Sequence, residues 1–384
     1  MRGKVMARPK SATIVRRLLD WFSHAARDLP WRRTHDPYAI WVSEIMLQQT
    51  QVKTVIGYWE RWMRNLPTIQ ALAEAAPERI HKLWEGLGYY TRVRNLQKAA
   101  QHIVACHGGR FPQDYDAILE LPGIGRYTAG AIASIAFNQP RSVLDGNVIR
   151  VLTRLFGIAD NPKEKAANAR LWQLSEEMVK AADRMPSNAN GMRTPRGAEE
   201  SNWHCSHLNQ SLMELGALVC VPKQPKCSVC PVRFACVAER AGRIGELPNL
   251  GPPKDTTVRR FAAFVLEWKG RFLVRQRPAG VVNAHLWEFP NIELAAGTTA
   301  TVPRTAVRTE LGAGIGIAEQ LCAFKHSITR YRITLEAYRA VAIGTKKPDL
   351  AGEWRTLAQL RGLAFPSAHK RILHRVSRQP RQRP

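Results

Sequence analysis

The stretch Leu121–Ser134, "LPGIGRYTAGAIAS", decides how the first half of the chain is read. Pro122, Gly123, Ile124 and Gly125 make a tight turn whose glycines permit positive φ and close backbone approach. Small residues follow at helical spacing, so a helix begins near Arg126 with its unpaired N–H groups and positive dipole end facing outward. That arrangement suits a phosphate. Ile118, Leu119 and Leu121 before the turn, and Ile132 and Ile135 after it, give two helices apolar faces to pack together, with Gly130 allowing close contact. Residues from about 114 to 137 therefore read as a helix–hairpin–helix, with an ordinary helix–helix turn as the plain alternative. Tyr127, at the opening of the second helix, needs its own explanation.

Working outward, the chain from Ser11 to about Lys180 reads as successive helices with short breaks. Leu18, Phe22 and Ala25 share a helical spacing. Val42, Ile45 and Met46 give "YAIWVSEIMLQQT" an apolar face after the turn at Asp36-Pro37. "PERIHKLWEGLG" is stopped by Gly86 and Gly88, and "VIRVLTRLF" carries one apolar stripe. Little alternates with period two, so this part is expected to be all-α. Past the Pro- and Gly-rich segment "ELPNLGPPKDTT", short runs of β-branched and aromatic residues with a turn at Lys269-Gly270 predict an α+β domain. Met185–Asn202 reads as an exposed loop, and the basic residues from Lys370 onward as a loose tail.

The net charge of +26 over 384 residues favours a polyanionic partner, because each phosphate neutralised by Lys or Arg releases counterions. A basic but inert surface, or a membrane-surface protein, is the bland alternative. No apolar run approaches the roughly 20 residues of a membrane span. The basic N-terminus lacks the apolar core of a secretory signal, and against the alternative of an organellar transit peptide stands the amphipathic pattern of "TIVRRLLDWF"; the expectation is a cytoplasmic protein, at the nucleoid if bacterial, and not a secreted one. Seven cysteines are present, and Cys220, Cys227, Cys230 and Cys236 read C-x6-C-x2-C-x5-C. Four thiols so close suit a structural metal site in a reducing compartment; spacing leaves zinc and an iron–sulfur cluster both open. "WHCSH" (203–207) has irregular spacing and is not read as a second site.

Taken together, the hairpin, an Asp further on in "VLDGNVIRVLTRLFG" and the cysteine loop resemble the endonuclease-III superfamily of helix–hairpin–helix DNA glycosylases. Within it, "LPWRRTHDPYAIWVSEIMLQQTQV", "GLGYYTRVRNL" and "NQSLMELGALVC" are similar to the adenine-specific MutY branch. The resemblance runs from about Leu18 to Cys236 and continues more weakly in "LWEFPNIE" and "FKHSITRYRI". It implies one [4Fe–4S] cluster on the four cysteines. It also implies duplex DNA with adenine opposite 8-oxoguanine or guanine as substrate, a monomer, and a Nudix-like second domain that helps read the lesion. The corresponding division is a basic segment 1–10, a glycosylase domain 11–219, a cluster loop 220–236, a linker 237–256, a Nudix-like domain 257–369 and a tail 370–384.

Cleaving a deoxynucleotide's glycosidic bond needs a protonated leaving base and a stabilised oxocarbenium-like sugar, work that two carboxyl groups in different environments can share. Glu44, on a mainly apolar helix, is the expected acid, because burial raises a carboxyl pKa. By local rules it is otherwise one member of a polar stripe with Gln48 and Gln51. Asp145 reads locally as a helix N-cap; the resemblance gives it the cationic transition state to stabilise, with Asn147 as its polar helper. At Tyr127, bifunctional superfamily members carry a lysine that forms a Schiff base, which a phenol cannot do. Base removal without efficient strand cleavage is therefore expected. The resemblance further implies that Trp31, Arg32 and Glu214 border the adenine pocket. It likewise implies that Gln49 and Tyr89 insert beside the oxidised guanine with Thr50 and Leu87 lining its site, and the hairpin of Gly123 and Gly125 is expected to meet DNA. In the second domain Phe324-Lys325-His326 stands where many members carry Phe-Ser-His, so Phe324 and His326 are the expected lesion contacts and the serine hydroxyl is replaced. Glu310 is essentially the one glutamate left of a Nudix metal site, so hydrolase chemistry there is not expected. A thymine–guanine mismatch glycosylase and a non-catalytic DNA-binding protein on the same scaffold are the competing readings.

Overall fold

The structure is a computed structural model and describes residues 11–186, 203–252, 255–295, 304–312, 314–328, 330–342 and 347–378. The expected N-terminal segment, nearly all of the 185–202 loop and the last six residues lie outside the described residues. The chain divides into two compact units, one of Met1–Glu74 with Asn95–Pro253 and one of Ala75–Arg94 with Lys254–Pro384.

In chain order the helices of the first part are α1 (Ser11–Ala25), α2 (Pro37–Leu47), α3 (Val52–Asn65), α4 (Ile69–Glu74), α5 (Pro77–Trp84), α6 (Thr91–His107), α7 (Tyr115–Glu120), α8 (Arg126–Phe137), α9 (Gly146–Phe156), α10 (Lys165–Asp183), α11 (His204–Leu218) and α12 (Val237–Arg240). The amphipathic α1 buries Ile14, Val15, Leu18, Leu19 and Phe22. By contrast α2 is buried on all sides from Tyr38 to Met46, as a central helix must be, and its start is fixed by Asp36, which accepts the Tyr38 N–H at 3.0 Å. Glu44 thus enters the core because its helix does.

The hairpin forms between α7 and α8 as expected, but its glycines differ in role. Gly123 has φ +79°, and a Cβ there would lie 2.6 Å from the Asn95 side chain. Gly125 is extended at φ −102° and caps α8 without a side chain, leaving the first-turn N–H groups open. Leu119 is exposed rather than packed. Gly130 does not serve the α7–α8 contact either: a Cβ there would sit 2.3 Å from the Ser142 carbonyl oxygen, in the strap that leads to Asp145.

In the second unit, β1 (Thr257–Trp268), β2 (Arg271–Gln276), β3 (Trp287–Glu288), β4 (Asn291–Leu294), β5 (Ile315–Ile328), β6 (Tyr331–Ala342) and β7 (Glu353–Thr356) form a mixed sheet. Its order is β3-β2-β1-β6-β5, with β4 added on β1 and β7 on β2. The β1–β6 pair is parallel and the other pairs are antiparallel. Lys269 and Gly270, both at positive φ, make the two-residue β1–β2 turn. Helix α13 (Arg304–Leu311) covers one face with Val307 and Leu311. Helices α14 (Leu357–Gly362) and α15 (Ser367–Arg378) cover the other, where Phe289, Phe365, Ile372 and Val376 are buried together.

Three boundaries differ from expectation. The basic tail is helical as far as Arg378, because Ala368, Ile372, Leu373 and Val376 repeat at helical spacing beneath the charge. The expected linker begins with the turn of α12. Residues 75–94 join the second unit, not the first. There the buried Glu85 accepts the Phe365 N–H at 3.0 Å and the Lys370 ammonium at 2.6 Å, and Lys82 donates to the Leu363 carbonyl at 2.9 Å. No helix among the described residues is long and apolar enough to cross a membrane.

Candidate active site

One cavity of about 550 Å³ opens between α2, the start of α8, the entrance of α9 and α11. Trp31, Arg32, Glu44, Gln49, Thr50, Tyr127, Asp145, Asn147 and Glu214 all line it. The volume is that of a small-molecule site. Residues far apart in sequence are thus brought together by these four elements, the turn Pro30–Arg33 and the segment that follows α2.

Glu44 is 5% exposed, and the Tyr127 hydroxyl donates to its Oε2 at 2.7 Å. Burial pushes the Glu44 carboxyl up to about 7; the Tyr127 hydrogen bond opposes this, and the charge of Asp145 adds to it. Near neutral pH this side chain therefore carries a proton it can give away. Tyr127 is itself driven well above the ordinary phenol range, by burial and then by Glu44 and Asp145, so it remains a neutral donor.

Asp145 caps α9, accepting the Val148 N–H at 2.7 Å and the Asn147 side chain at 2.9 Å. Burial raises its pKa against those hydrogen bonds. Two glycines permit this placement: Gly130 lets the Ser142 strap close in, and a Cβ on Gly216 of α11 would lie 2.6 Å from the Asn147 Cβ. Asn147 also accepts from Arg150 at 2.8 Å, and Arg150 donates to the Gly216 and Cys220 carbonyls at 2.9 and 2.7 Å. A continuous polar chain thus runs from Asp145 to the first cysteine of the loop.

A third carboxylate has the opposite character. Glu214 is 1% exposed and accepts hydrogen bonds from the guanidinium and backbone N–H of Arg27 at 2.7–2.9 Å and from the guanidinium of Arg32 at 3.0–3.2 Å. Burial alone would raise it, but the hydrogen bonds of Arg27 and Arg32 take it down to about 2. Within one cavity, Glu44 is a proton donor and Glu214 a fixed anion. The clamp by Arg27 was not foreseen; its only sequence signal is an Arg shortly before the Leu-Pro-Trp-Arg run.

Leu87 and Tyr89 do not line this cavity and belong to the second unit. Gln49 and Tyr89, the two expected wedge residues, both adopt the left-handed conformation at φ 56° and 48°. For residues other than glycine this stores about 1–3 kcal/mol, and such strain clusters at functional positions. Phe324 and His326 are half-buried on β5, whereas Lys325 and Ser327 share the exposed face. Phe324 lies under the Arg371 guanidinium at 3.9 Å. Glu310 pairs with Arg275.

Cys220, Cys227, Cys230 and Cys236 are free thiols lining a single cavity with Val219, Pro225 and Ile244. Arg154, buried, reaches the Cys220 Sγ at 3.5 Å and fixes the loop through the Val221, Pro222 and Leu247 carbonyls at 2.8–2.9 Å. Burial pushes the Cys230 thiol up to about 11 and raises Cys227 and Cys236 as well. Convergent sulfurs, apolar walls and an adjacent guanidinium fit a thiolate-bound metal group. Among the described residues, no group of three or more His, Cys, Asp or Glu is drawn in as for a single ion. Cys205 instead bonds Asp183 at 3.7 Å from the buried side of α11.

Residues 42–177 match the model of the HhH-GPD superfamily base excision DNA repair proteins, and residues 262–375 match a NUDIX domain. The adenine DNA glycosylase of Rattus norvegicus is 34% identical across 93% of this chain and 76% of its own length. That of Homo sapiens is 35% identical across 92% and 72%. Among solved structures, a thermostable thymine-DNA glycosylase superposes with a TM-score of 0.51 at 27% identity, covering 60% of this chain and 97% of its own. With a third of its residues shared over more than nine-tenths of its length, the chain belongs to the adenine DNA glycosylase family.

Proposed function

We propose that the protein is a monofunctional DNA glycosylase of base excision repair that hydrolyses the N-glycosidic bond of adenine opposite 8-oxoguanine or guanine in duplex DNA. The observation that carries this is the pairing, in one cavity, of a buried carboxyl at about 7 with a second carboxyl fixed at a helix entrance. A base inside a duplex is out of reach, so the adenine must be flipped into the cavity. Glu44 gives its proton to a ring nitrogen of the departing adenine, the resemblance favouring N7, and the C1′–N9 bond breaks with its electron pair leaving on the base. Asp145 faces the positive charge that develops on the sugar. Water then supplies the oxygen that bonds to C1′, and its proton leaves to a carboxylate. Glu214, held ionised, and Arg32 and Trp31 offer polar and stacking contacts to the base.

The phenol of Tyr127 cannot form a Schiff base, which supports base removal without strand cleavage. The four cysteines would hold a [4Fe–4S] cluster, whose bonding would knit residues 220–236 into one rigid loop. Phe324, His326, Tyr89, Gln49, Thr50 and Leu87 are assigned to the oxidised guanine and its flanks, and the Gly123–Gly125 hairpin to the backbone.

The test is single-turnover base release on duplexes holding A opposite 8-oxoguanine, A opposite G, A opposite T and T opposite G, read with and without alkali. Rapid adenine release opposite 8-oxoguanine, with breaks only after alkali, is expected. Release of thymine in preference to adenine would replace this reading with the mismatch-thymine one. No release by protein with its cluster bound would leave only a DNA-binding role.

A further inference from the structure

Two sets of arginines in the second unit contrast. On the sheet, Arg259, Arg260, Arg275, Arg277, Arg339 and Arg355 each bind a glutamate. On α14 and α15, Arg361, Arg375 and Arg378 have no carboxylate partner among the described residues, and Arg371 has only the Phe324 ring. Six arginines on or beside the sheet are thus neutralised by acids, whereas these helix arginines are not.

They are also held in place. The apolar positions of α15 are buried against the sheet, which fixes its basic positions on the opposite side. Lys370, His374 and Arg378 stand at i, i+4 and i+8, about 6 Å apart along the helix. With Lys82, Arg361 and Ser377 they surround a pocket of about 360 Å³. Its one carboxylate, Glu85, is already bound by Lys82 at 2.9 Å and Lys370 at 2.6 Å. Arg361 and Arg378 therefore line the pocket without a counter-charge, an arrangement that costs self-repulsion unless an anion is bound.

We propose that this pocket and the adjoining face of α15 bind the sugar–phosphate backbone of duplex DNA, as a second contact besides the reaction cavity. The proposal rests on DNA being the substrate. Guanidinium groups fork onto phosphate oxygens, and Arg361, Arg375 and Arg378 offer three without a carboxylate. Such contacts add affinity without reading sequence, so they serve mismatch-free DNA equally well.

The experiment uses full-length protein carrying its cluster. The association constant for a labelled, mismatch-free duplex is measured over a range of KCl concentrations for the native protein and an Arg361→Gln/Arg375→Gln/Arg378→Gln variant. Each lost phosphate contact lowers the slope of log K against log salt by about 0.9, so a fall of about 2–3 is expected. The corresponding triple Arg→Lys variant should keep most of the native slope. Neutralising Arg339, which is paired on the sheet, should leave it unchanged. A triple Gln variant with the native slope, or one that has lost affinity for polyglutamate but not for DNA, overturns the proposal. If base release is absent but the slope still falls, the catalytic reading fails and the backbone surface stands. If base release is native and the slope is unchanged, the catalytic reading stands and the backbone surface fails.

Discussion

Replacing Glu44 with glutamine should stabilise the protein above neutral pH while removing its activity. Glutamine keeps the shape of the side chain and an oxygen to accept the 2.7 Å hydrogen bond from Tyr127. What it removes is a carboxyl whose pKa rises from 4.5 to about 7 on folding. A carboxyl raised in the folded state contributes its stability below the unfolded value and loses it as pH rises through the folded one. At pH 8 the ionised, buried Glu44 therefore costs about 3 kcal/mol, and at pH 5 less than about 1. The variant should gain that difference, or roughly 5–10 °C in melting temperature at pH 8, with little gain at pH 5. Differential scanning fluorimetry of both proteins across pH 5–8.5, with cluster absorbance checked throughout, reads it directly. Base release should fall by about 10²–10⁴, as for loss of a general acid. A variant whose stability parallels the native protein at every pH would refute the reasoning, because Glu44 would then titrate as an exposed carboxyl.

Three further outcomes follow from the same cavity. Tyr127→Lys should give alkali-independent strand breaks and a borohydride-trapped protein–DNA adduct, since an amine would replace the phenol beside Glu44 and Asp145; absence of both would mean the position does not reach the sugar. Gly216→Val should cost about 1–3 kcal/mol by pressing on Asn147 and should slow base release at least tenfold, whereas Gly57→Ala, where a Cβ meets nothing, should do neither. Glu214→Gln should destabilise the protein by about 2–4 kcal/mol at pH 7, the partial exposure of Arg27 reducing the full cost of a broken buried pair. Glu214 is lowered on folding to about 2, so its contribution is present above 4.5 and lost as pH falls towards 2. Acid unfolding of the glutamine variant should accordingly be less steep in that window.

The reaction cavity was legible chiefly through the resemblance, which supplied the roles, while local signals fixed where three of its residues stand. Asp145 stands at a helix start, Tyr127 follows a glycine turn, and Glu44 lies on a helix too apolar to be at the surface. Each signal fixes a local conformation, and the cavity follows once the helices pack. What the sequence concealed depends on partners far apart in the chain. Arg27 becomes a clamp only when α11 brings Glu214 to it, and Gly130 and Gly216 show their purpose only beside Ser142 and Asn147. Residues 75–94 read as one more helix of the first part, although Glu85 finds its partners about 280 positions later. The C-terminal helix was obscured differently. Its charge density suggested a loose tail, while Ile372, Leu373 and Val376 beneath that charge already carried the helical period.

The most direct measurement of the central claim is the single-turnover rate of adenine release from an A·8-oxoguanine duplex as a function of pH. If the proton held by Glu44 drives the reaction, the rate is level below its pKa and falls about tenfold per pH unit above about 7. The Glu44→Gln variant should show only a small residual rate with no such limb. A native rate that stays level from pH 6 to pH 9, with enzyme saturated by DNA at every point, would contradict the account.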